Sequence, residues 1–406
     1  MKNTYLEKSL FLFFSIIPLT IVLGPAISLI NILLINLCFF IFMFYYKDYE
    51  FLKNKIVILL LLINIYLIFN SIISIDQIIG IKRNFGFLRF VIFFIVLNYF
   101  FYYSKNPRKI FFTWFVILFI FILDVYLEFI TGSNILGFGD EEGDFGPRIV
   151  SFFKDEPIAG AFIYGFSFIV VGYLFNKCSE DKKNKVIILF LPLLLLISVL
   201  ITGERSNTIK FFIGFMMFFL FSHFLNKKIK IFSILFFVIV VSIIFSQSQY
   251  LKLRYITQLT NHFIVEQKRK VFFKENLYFN LYKSGINVFK NYPIFGVGNK
   301  NYRVETCAPK KDPKTYYLCI THPHQLYIEF LSEHGLFGTI IILSILFFLI
   351  FRILGIIIRS KNYIQAGCFI YILTIFIPLL PSGSFFSDFN STIFWINFSL
   401  MYACNK

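Results

Sequence analysis

The chain has 406 residues, of which 58% are hydrophobic, and its 60 phenylalanines contribute to a mean hydropathy of +0.76. This composition excludes a soluble globular domain, in which about 45–50% of residues are apolar. The formal net charge of +17 is typical of membrane proteins whose cytoplasmic loops are rich in Lys and Arg, so we do not expect a nucleic-acid partner.

Apolar runs of about 20 residues, the length that crosses a bilayer, recur along the whole chain. We therefore predict an all-α polytopic membrane protein with about twelve transmembrane helices. The dipeptide Gly24-Pro25 is predicted to form a sharp turn between the first two spans. The predicted spans are 9–23, 26–46, 56–75, 85–103, 110–130, 157–176, 186–202, 207–225, 229–247, 336–358, 362–380 and 388–403.

The short loops between these spans differ in their basic residues. Those near residues 50, 107, 181, 228 and 356 each hold several Lys or Arg residues, whereas the alternate loops hold few. Because basic residues accumulate in cytoplasmic loops, both termini are predicted to be cytoplasmic. The basic residues of the alternate loops are Lys82, Arg83, Arg148, Lys154 and Arg205.

Two sets of charged residues near the predicted outer ends of the spans are candidate binding residues. Arg83 precedes the predicted fourth span and Arg89 lies in it, and ionisable groups near hydrocarbon indicate a site by default. Arg83 is alternatively a solvated loop charge. Asp155 and Glu156, in RIVSFFKDEPIAG, can bind a hydroxylated acceptor or neutralise an arginine. The alternative for these two carboxylates is capping of the following helix.

Arg205 lies in TGERSN, residues 202–207, a very short outer turn between two spans. An arginine near the hydrocarbon region is energetically expensive and normally has a partner. Its guanidinium can hold a phosphate by two parallel hydrogen bonds. Arg205 is therefore a candidate phosphate ligand, unless its charge only sets the topology.

Residues 248–335 lack a spanning run and are predicted to form one large outer loop. This divides the chain into 1–247 with nine spans, the loop 248–335, and 336–406 with three spans. Long loops of this kind are usually functional. Cys307 and Cys319 both lie in it, and on the oxidising side of a membrane we expect them to form a disulfide.

THPHQLYIEFLSEHGLFG, residues 321–338, contains three of only five histidines, and two of them, His322 and His324, flank Pro323. Pro323 is predicted to begin a helix capped by Thr321 or His322. This places His324 in the first helical turn, where the helix dipole lowers its pKa and keeps the ring neutral. The alternative is that both histidines are merely polar residues at the membrane surface. We expect no metal site, because further ligands are lacking.

Together these segments resemble the O-antigen ligase and polymerase superfamily, in the same order and over essentially the whole chain. TGERSN resembles its arginine turn, NYPIFGVGNKNY (291–302) its P-x-x-G-x-G loop, and HPHQLYIEFLSEHGLFG its H-x-H-N-x-x-L-E motif. RIVSFFKDEPIAG, PSGSFF (381–386) and the cysteine pair are similar to segments of alphaproteobacterial members.

The sequence departs from the pattern of this superfamily at two positions. Gln325 replaces the usual Asn after the second histidine, and Tyr278 stands where many relatives have an arginine before the P-x-x-G-x-G loop. Lys283 or Arg303 is a possible substitute for that arginine.

The resemblance implies a bacterial inner-membrane glycosyltransferase of the GT-C type with a periplasmic active site. Its donor would be a glycan on undecaprenyl diphosphate, and its acceptor a sugar hydroxyl of lipid A-core in lipopolysaccharide biosynthesis. Arg205, with Arg89 behind it, would stabilise the leaving diphosphate, and His324 would be the general base. We expect no cofactor and a metal-independent reaction. The remaining candidate substrate-binding residues are Arg83, His322, Arg303, Asp155 and Glu156.

Two other functions remain open. An O-antigen or exopolysaccharide polymerase, which joins lipid-linked repeat units, would need the same diphosphate site. A polysaccharide transporter or flippase is a more distant alternative, because it would predict inverted repeats and charged residues at the midplane, and the sequence has no internal repeat.

Overall fold

The structure is a computed structural model. It describes residues 4–47, 49–104, 107–139, 148–154, 156–181, 185–222, 225–257, 277–309 and 316–404. All regular secondary structure within these ranges is helical, in agreement with the predicted fold class.

The described helices are numbered here in chain order. They are α1 (Thr4–Ser15), α2 (Ile17–Val22), α3 (Pro25–Tyr46), α4 (Lys55–Ile72), α5 (Gln77–Tyr103), α6 (Arg108–Thr131), α7 (Ala159–Asp181), α8 (Lys185–Ile201), α9 (Arg205–Phe221), α10 (Lys227–Gln247), α11 (Leu277–Asn291), α12 (Tyr302–Cys307), α13 (Leu326–Ser360), α14 (Tyr363–Ile375) and α15 (Asp388–Ala403). Short turns lie at Glu50–Lys53, Ser151–Phe153 and Gln249–Leu251, and a π-helical turn lies at Lys252–Thr257.

Each predicted apolar span overlaps helical structure, although the first is divided between α1 and α2. Pro18 lies in the first turn of α2, where its missing N–H is tolerated. Among the described helices, α3 to α7, α10 and α13 are long and apolar enough to cross a membrane. The fold is therefore that of a polytopic all-α membrane protein. The count of twelve spans and the periplasmic position of the large loop stay predictions.

The packing of α5 against α15 and of α7 against α14 places several loops beside one another. Trp395 of α15 contacts Phe87 and Phe90 of α5, with ring centroids 5.6 Å and 6.2 Å apart. Tyr164 of α7 and Thr374 of α14 form a hydrogen bond of 2.5 Å between their hydroxyls. Consequently the beginning of α15 and the loop that precedes it lie against the beginning of α5.

Helix α13 begins at Leu326 and not at Pro323. Gln325 is its N-cap, and the side-chain oxygen of Gln325 accepts a hydrogen bond from Ile328 N at 2.8 Å. His324 precedes the helix with φ of 55°, a conformation in which its carbonyl accepts a hydrogen bond from Ser382 N at 2.9 Å. The predictions of a helix start at Pro323, and of His324 in the first turn, were therefore wrong. The hydrogen bond from Ser382, in a segment distant in sequence, fixes the backbone turn at His324.

Helix α13 is kinked at Gly335, where φ is 61° and ψ is −169°. The P-x-x-G-x-G loop, residues 293–298, fills the break. Backbone N–H groups of Val297 and Gly298 donate to carbonyls 332 and 333 at 3.0 Å and 2.8 Å. Carbonyls of Pro293 and Ile294 accept from the N–H groups of residues 336 and 337 at 2.8 Å and 3.1 Å. The loop thus satisfies backbone groups that the kink exposes.

Gly296→Ala should destabilise the protein, because φ at Gly296 is +70° and an added Cβ would lie 2.4 Å from the Glu333 carbonyl carbon. Left-handed backbone alone costs an alanine about 1–3 kcal/mol. The measurement is the thermal unfolding midpoint of purified protein. Gly355→Ala is the matched control, since the nearest atom to its added Cβ, Arg359 Nη2, is 3.9 Å away. Equal midpoints for the two variants would contradict this account of the loop.

Candidate functional site

The loop between α14 and α15, residues 376–387, joins the arginine turn to the histidine motif. Ser206 Oγ donates to the Pro381 carbonyl at 2.5 Å, and Ser382 N donates to the His324 carbonyl at 2.9 Å. Two motifs that are far apart in the sequence are therefore bound by consecutive residues of this connecting loop.

The same connecting loop also binds α13 and Lys300, which lies two residues after the P-x-x-G-x-G loop. Buried Glu329 accepts hydrogen bonds from Ser384 Oγ at 2.5 Å and from Phe385 N at 2.9 Å. Lys300 Nζ donates to Ser384 Oγ at 2.5 Å. From the sequence alone, Lys300 was not selected and Glu329 was given no site role. These residues lie in two separate motifs, and the Ser384 hydroxyl that links them lies in a third segment.

The rings of His322 and His324 are in close contact, with centroids 4.0 Å apart and their planes tilted by 36°. Burial, and next the positive charge of Lys300, lower the pKa of His322 to about 4. Burial also lowers the pKa of His324 to about 4, with a further lowering by His322 and an opposing effect of Glu329. The rings are thus neutral at physiological pH, as expected, but burial rather than a helix dipole is the main cause.

Three arginines converge at the turn between α8 and α9. Arg205 is the first residue of α9, and Arg254, in the π-helical turn, donates from Nε to the Gly203 carbonyl at 3.1 Å. Burial lowers the pKa of Arg254, and the positive charges of Arg148 and Arg205 lower it further. From the sequence alone, Arg148 was interpreted only as a residue that sets the topology. Arg254 was not selected, because it lies in a long loop and the positive-inside rule counts only short ones.

Helix α11 covers both the arginine turn and the connecting loop. Tyr278, at the position where relatives have an arginine, is an electrostatic neighbour of Arg205. One helical turn later, the Tyr282 hydroxyl donates to the Leu379 carbonyl at 3.3 Å. Tyr278 is thus next to Arg205, although its side chain carries no positive charge.

The two suggested substitutes for that arginine lie elsewhere. Lys283 Nζ is 5.1 Å from the centroid of the Tyr316 ring, and Arg303 is exposed on α12. Among the described residues, the hydrogen bonds and ion pairs of the connecting loop include neither of them. Arg254 supplies a positive charge near Arg205 instead.

Arg83 and Arg89 of α5 both pair with Asp388, the first residue of α15. Arg83 Nη1 lies 3.0 Å from Asp388 Oδ2, and Arg89 Nη2 lies 2.5 Å from Asp388 Oδ1. Arg83 also donates to the Phe386 carbonyl. Two guanidinium groups therefore share one carboxylate, an arrangement that sequence analysis did not find because Asp388 lies about 300 residues later.

A cavity of about 360 Å³ lies beside this ion pair. Its walls come from the turn between α2 and α3, the segment before α7, α5 and α15, and they are mainly apolar. Arg89, Asp388, Lys154 and Glu156 contribute the charged groups. Asp155, the other predicted acceptor ligand in this segment, lies outside the described residues. The cavity is suited to an amphiphile with a polar group near Arg89.

Cys307 and Cys319 form a disulfide between α12 and the segment before the histidine motif, with an S–S distance of 2.02 Å. The bond therefore links α12 to the chain three residues before His322.

The double substitution Cys307→Ser, Cys319→Ser should lower the free energy of unfolding by about 3 kcal/mol, because the bond closes a short loop. It should also reduce transfer, since the histidine segment loses this anchor. The measurements are mass mapping without reduction, the unfolding midpoint and transfer rate. Cys178→Ser, which removes a cysteine that is not part of the disulfide, is the control. Two free thiols in the native protein would contradict the assignment.

Residues 190–343 match the family model described as O-antigen ligase. This region contains the arginine turn, the P-x-x-G-x-G loop, the disulfide and the histidine motif. No curated protein matches the chain.

Proposed function

We propose that this chain, whose residues 190–343 match the O-antigen ligase family model, moves a glycan from undecaprenyl diphosphate to a sugar hydroxyl of lipid A-core. The reaction needs neither a metal ion nor a cofactor. The fold is of the GT-C type, in the bacterial inner membrane, and the reaction takes place on the periplasmic side.

The convergence of cations and imidazoles on the connecting loop carries this proposal. A glycan that leaves a lipid diphosphate transfers negative charge to the phosphate oxygens, and fixed cations stabilise that charge. Arg205 supplies the principal cation, and Arg148 and Arg254 add to it. Relatives place an arginine at the position of Tyr278, and Arg254 takes over its electrostatic role here.

His324 accepts the proton of the attacking sugar hydroxyl. A general base must be neutral and must reach the hydroxyl. Burial keeps the pKa of His324 at about 4, and the hydrogen bond between Ser382 N and the His324 carbonyl holds its backbone beside the arginine turn. His322, whose ring centroid lies 4.0 Å from that of His324, binds the acceptor.

The remaining candidates bind the less reactive parts of the substrates. Arg89, with Arg83 behind it, lies next to the cavity, and their shared partner Asp388 leaves one positive charge for a substrate anion. Glu156 lines the same cavity and, with Asp155, binds acceptor hydroxyls. Arg303, exposed on α12, contacts the glycan outside the membrane.

The charge asymmetry of the short loops supports cytoplasmic N and C termini. In this topology residues 1–247 hold nine spans, residues 248–335 form a periplasmic loop with the histidine motif, and residues 336–406 hold three spans. The turn between α8 and α9, the start of α15 and the histidine motif then all face the periplasm.

Lipopolysaccharide from a deletion strain, with and without a plasmid copy of the gene, tests this proposal. A ligase is expected to leave uncapped lipid A-core and accumulated lipid-linked polymer. Core that carries a single repeat unit would instead indicate the polymerase, which uses the same diphosphate chemistry. An unchanged polysaccharide ladder in the deletion strain would contradict both functions.

A further inference from the structure

Glu204 is a carboxyl group in the middle of the arginine cluster. It immediately precedes Arg205 and is the N-cap residue of α9. Its Oε1 accepts a hydrogen bond from Gly160 N at 2.5 Å, and its Oε2 accepts one from Asn207 Nδ2 at 2.6 Å. The carboxyl group is therefore fixed between the first turns of α7 and α9.

The charged groups around Glu204 come from every element that meets at this turn. Arg148 precedes α7, Arg205 begins α9, and Arg254 binds the carbonyl of the residue before Glu204. Tyr250 and Tyr255 are uncharged neighbours. Further along α9, Lys210 Nζ lies 3.5 Å from the Pro381 carbonyl.

The charge of this cluster depends on one proton. With Glu204 ionised, three guanidinium groups and one carboxylate give the cluster two positive charges; with Glu204 protonated, it has three. Burial raises the pKa of Glu204 to about 7, although hydrogen bonds from Asn207 and Gly160 and the charge of Arg148 oppose the rise. Glu204 can therefore change its protonation state at physiological pH.

Glycan transfer changes the charge of the diphosphate by one unit. A bond forms between the acceptor oxygen and the anomeric carbon, while the bond from that carbon to the phosphate oxygen breaks and leaves its electron pair on the phosphate. The donor is a diester with two negative charges. The released prenyl diphosphate has a terminal phosphate whose second pKa is about 6, so it carries a third charge. The acceptor hydroxyl loses one proton.

We propose that Glu204 binds one proton when the site holds the released prenyl diphosphate and is protonated to a smaller extent when the site holds the diester donor. The cluster then has close to three positive charges for the product and fewer for the donor. An added anion favours the protonated form of a nearby carboxyl group, so the product itself drives this uptake. The inference rests on the proposed transferase function and assigns Glu204 a charge-balancing role in it.

Proton uptake can be measured directly during binding. The full-length protein in nanodiscs is titrated at pH 8.0 with farnesyl diphosphate, and with its monomethyl diester, in two buffers of different ionisation enthalpy. Wild type should take up about 0.5–1 proton with the diphosphate, because Glu204 is mostly ionised at this pH. Uptake with the diester should be smaller. Glu204→Gln, which keeps a side chain of similar shape, should bind the diphosphate without this uptake.

The controls separate Glu204 from the histidines and from the proposed function. Equal uptake by wild type and Glu204→Gln would assign the proton to another group, such as His322 or His324, and would overturn the inference. Failure of wild type to bind either probe would count against the proposed function itself, and the inference would fall with it.

A measurement on wild type alone applies if Glu204→Gln does not fold. Its affinity for farnesyl diphosphate should fall as pH rises from 7.5 to 8.5, by up to about tenfold, because binding is linked to uptake of one proton. Affinity that stays constant across this interval would overturn the inference.

Discussion

Arg205→Ala should reduce glycan transfer by at least ~10²–10³-fold, the effect of removing one group that stabilises developing oxyanion charge. Arg205 begins α9 at the meeting point of Arg148 and Arg254, so its removal weakens the cluster where the diphosphate leaves. The measurement is transfer by purified protein from a lipid-linked donor, together with surface polysaccharide at matched expression.

Arg205→Lys separates charge from geometry. Lysine keeps the positive charge but cannot form two parallel hydrogen bonds to a phosphate, so this variant should also be severely impaired. Arg359→Ala is the control, because Arg359 is exposed in the last turn of α13. Near-normal transfer by Arg205→Ala would refute the diphosphate assignment, and full activity of Arg205→Lys would refute the two-pronged contact.

The helices were predictable because each predicted span is a continuous apolar run, and such a run forms a helix whatever its neighbours are. The kink inside α13 was not predictable. The kink at Gly335 depends on residues 293–298, which bind its free backbone groups. A glycine just before an apolar run does not by itself indicate that another segment will fill a break there.

At the site, the residue types were predictable and their partners were not. Arg205 and His324 were selected because ionisable groups are rare in such a chain. The link between their segments, from Ser206 to Pro381 and from Ser382 to His324, depends on tertiary structure. Arg83 and Arg89 were found on the same argument, but their neutralisation by Asp388 involves the start of α15. Local sequence does not contain this information.

His324→Ala should slow transfer by ~10²–10⁴-fold, the usual contribution of a general base. His322→Ala should lose less and should raise the apparent acceptor KM, because His322 contacts the acceptor in the proposed mechanism. The two variants are matched controls for each other, since the two ring centroids are 4.0 Å apart and either substitution disturbs the same segment. Transfer from a lipid-linked donor is measured for both at pH 7.

The pH dependence of kcat/KM then identifies the base. The pKa of His324 is about 4, and the base must be neutral, so wild-type kcat/KM should have an acid limb that falls as pH approaches 4, well below any change caused by Glu204 near pH 7. Because the charge of His322 lowers the pKa of His324, His322→Ala should move this acid limb to higher pH. His324→Ala should lose the limb. A limb that survives in His324→Ala, or a larger rate loss in His322→Ala, would reverse the two roles.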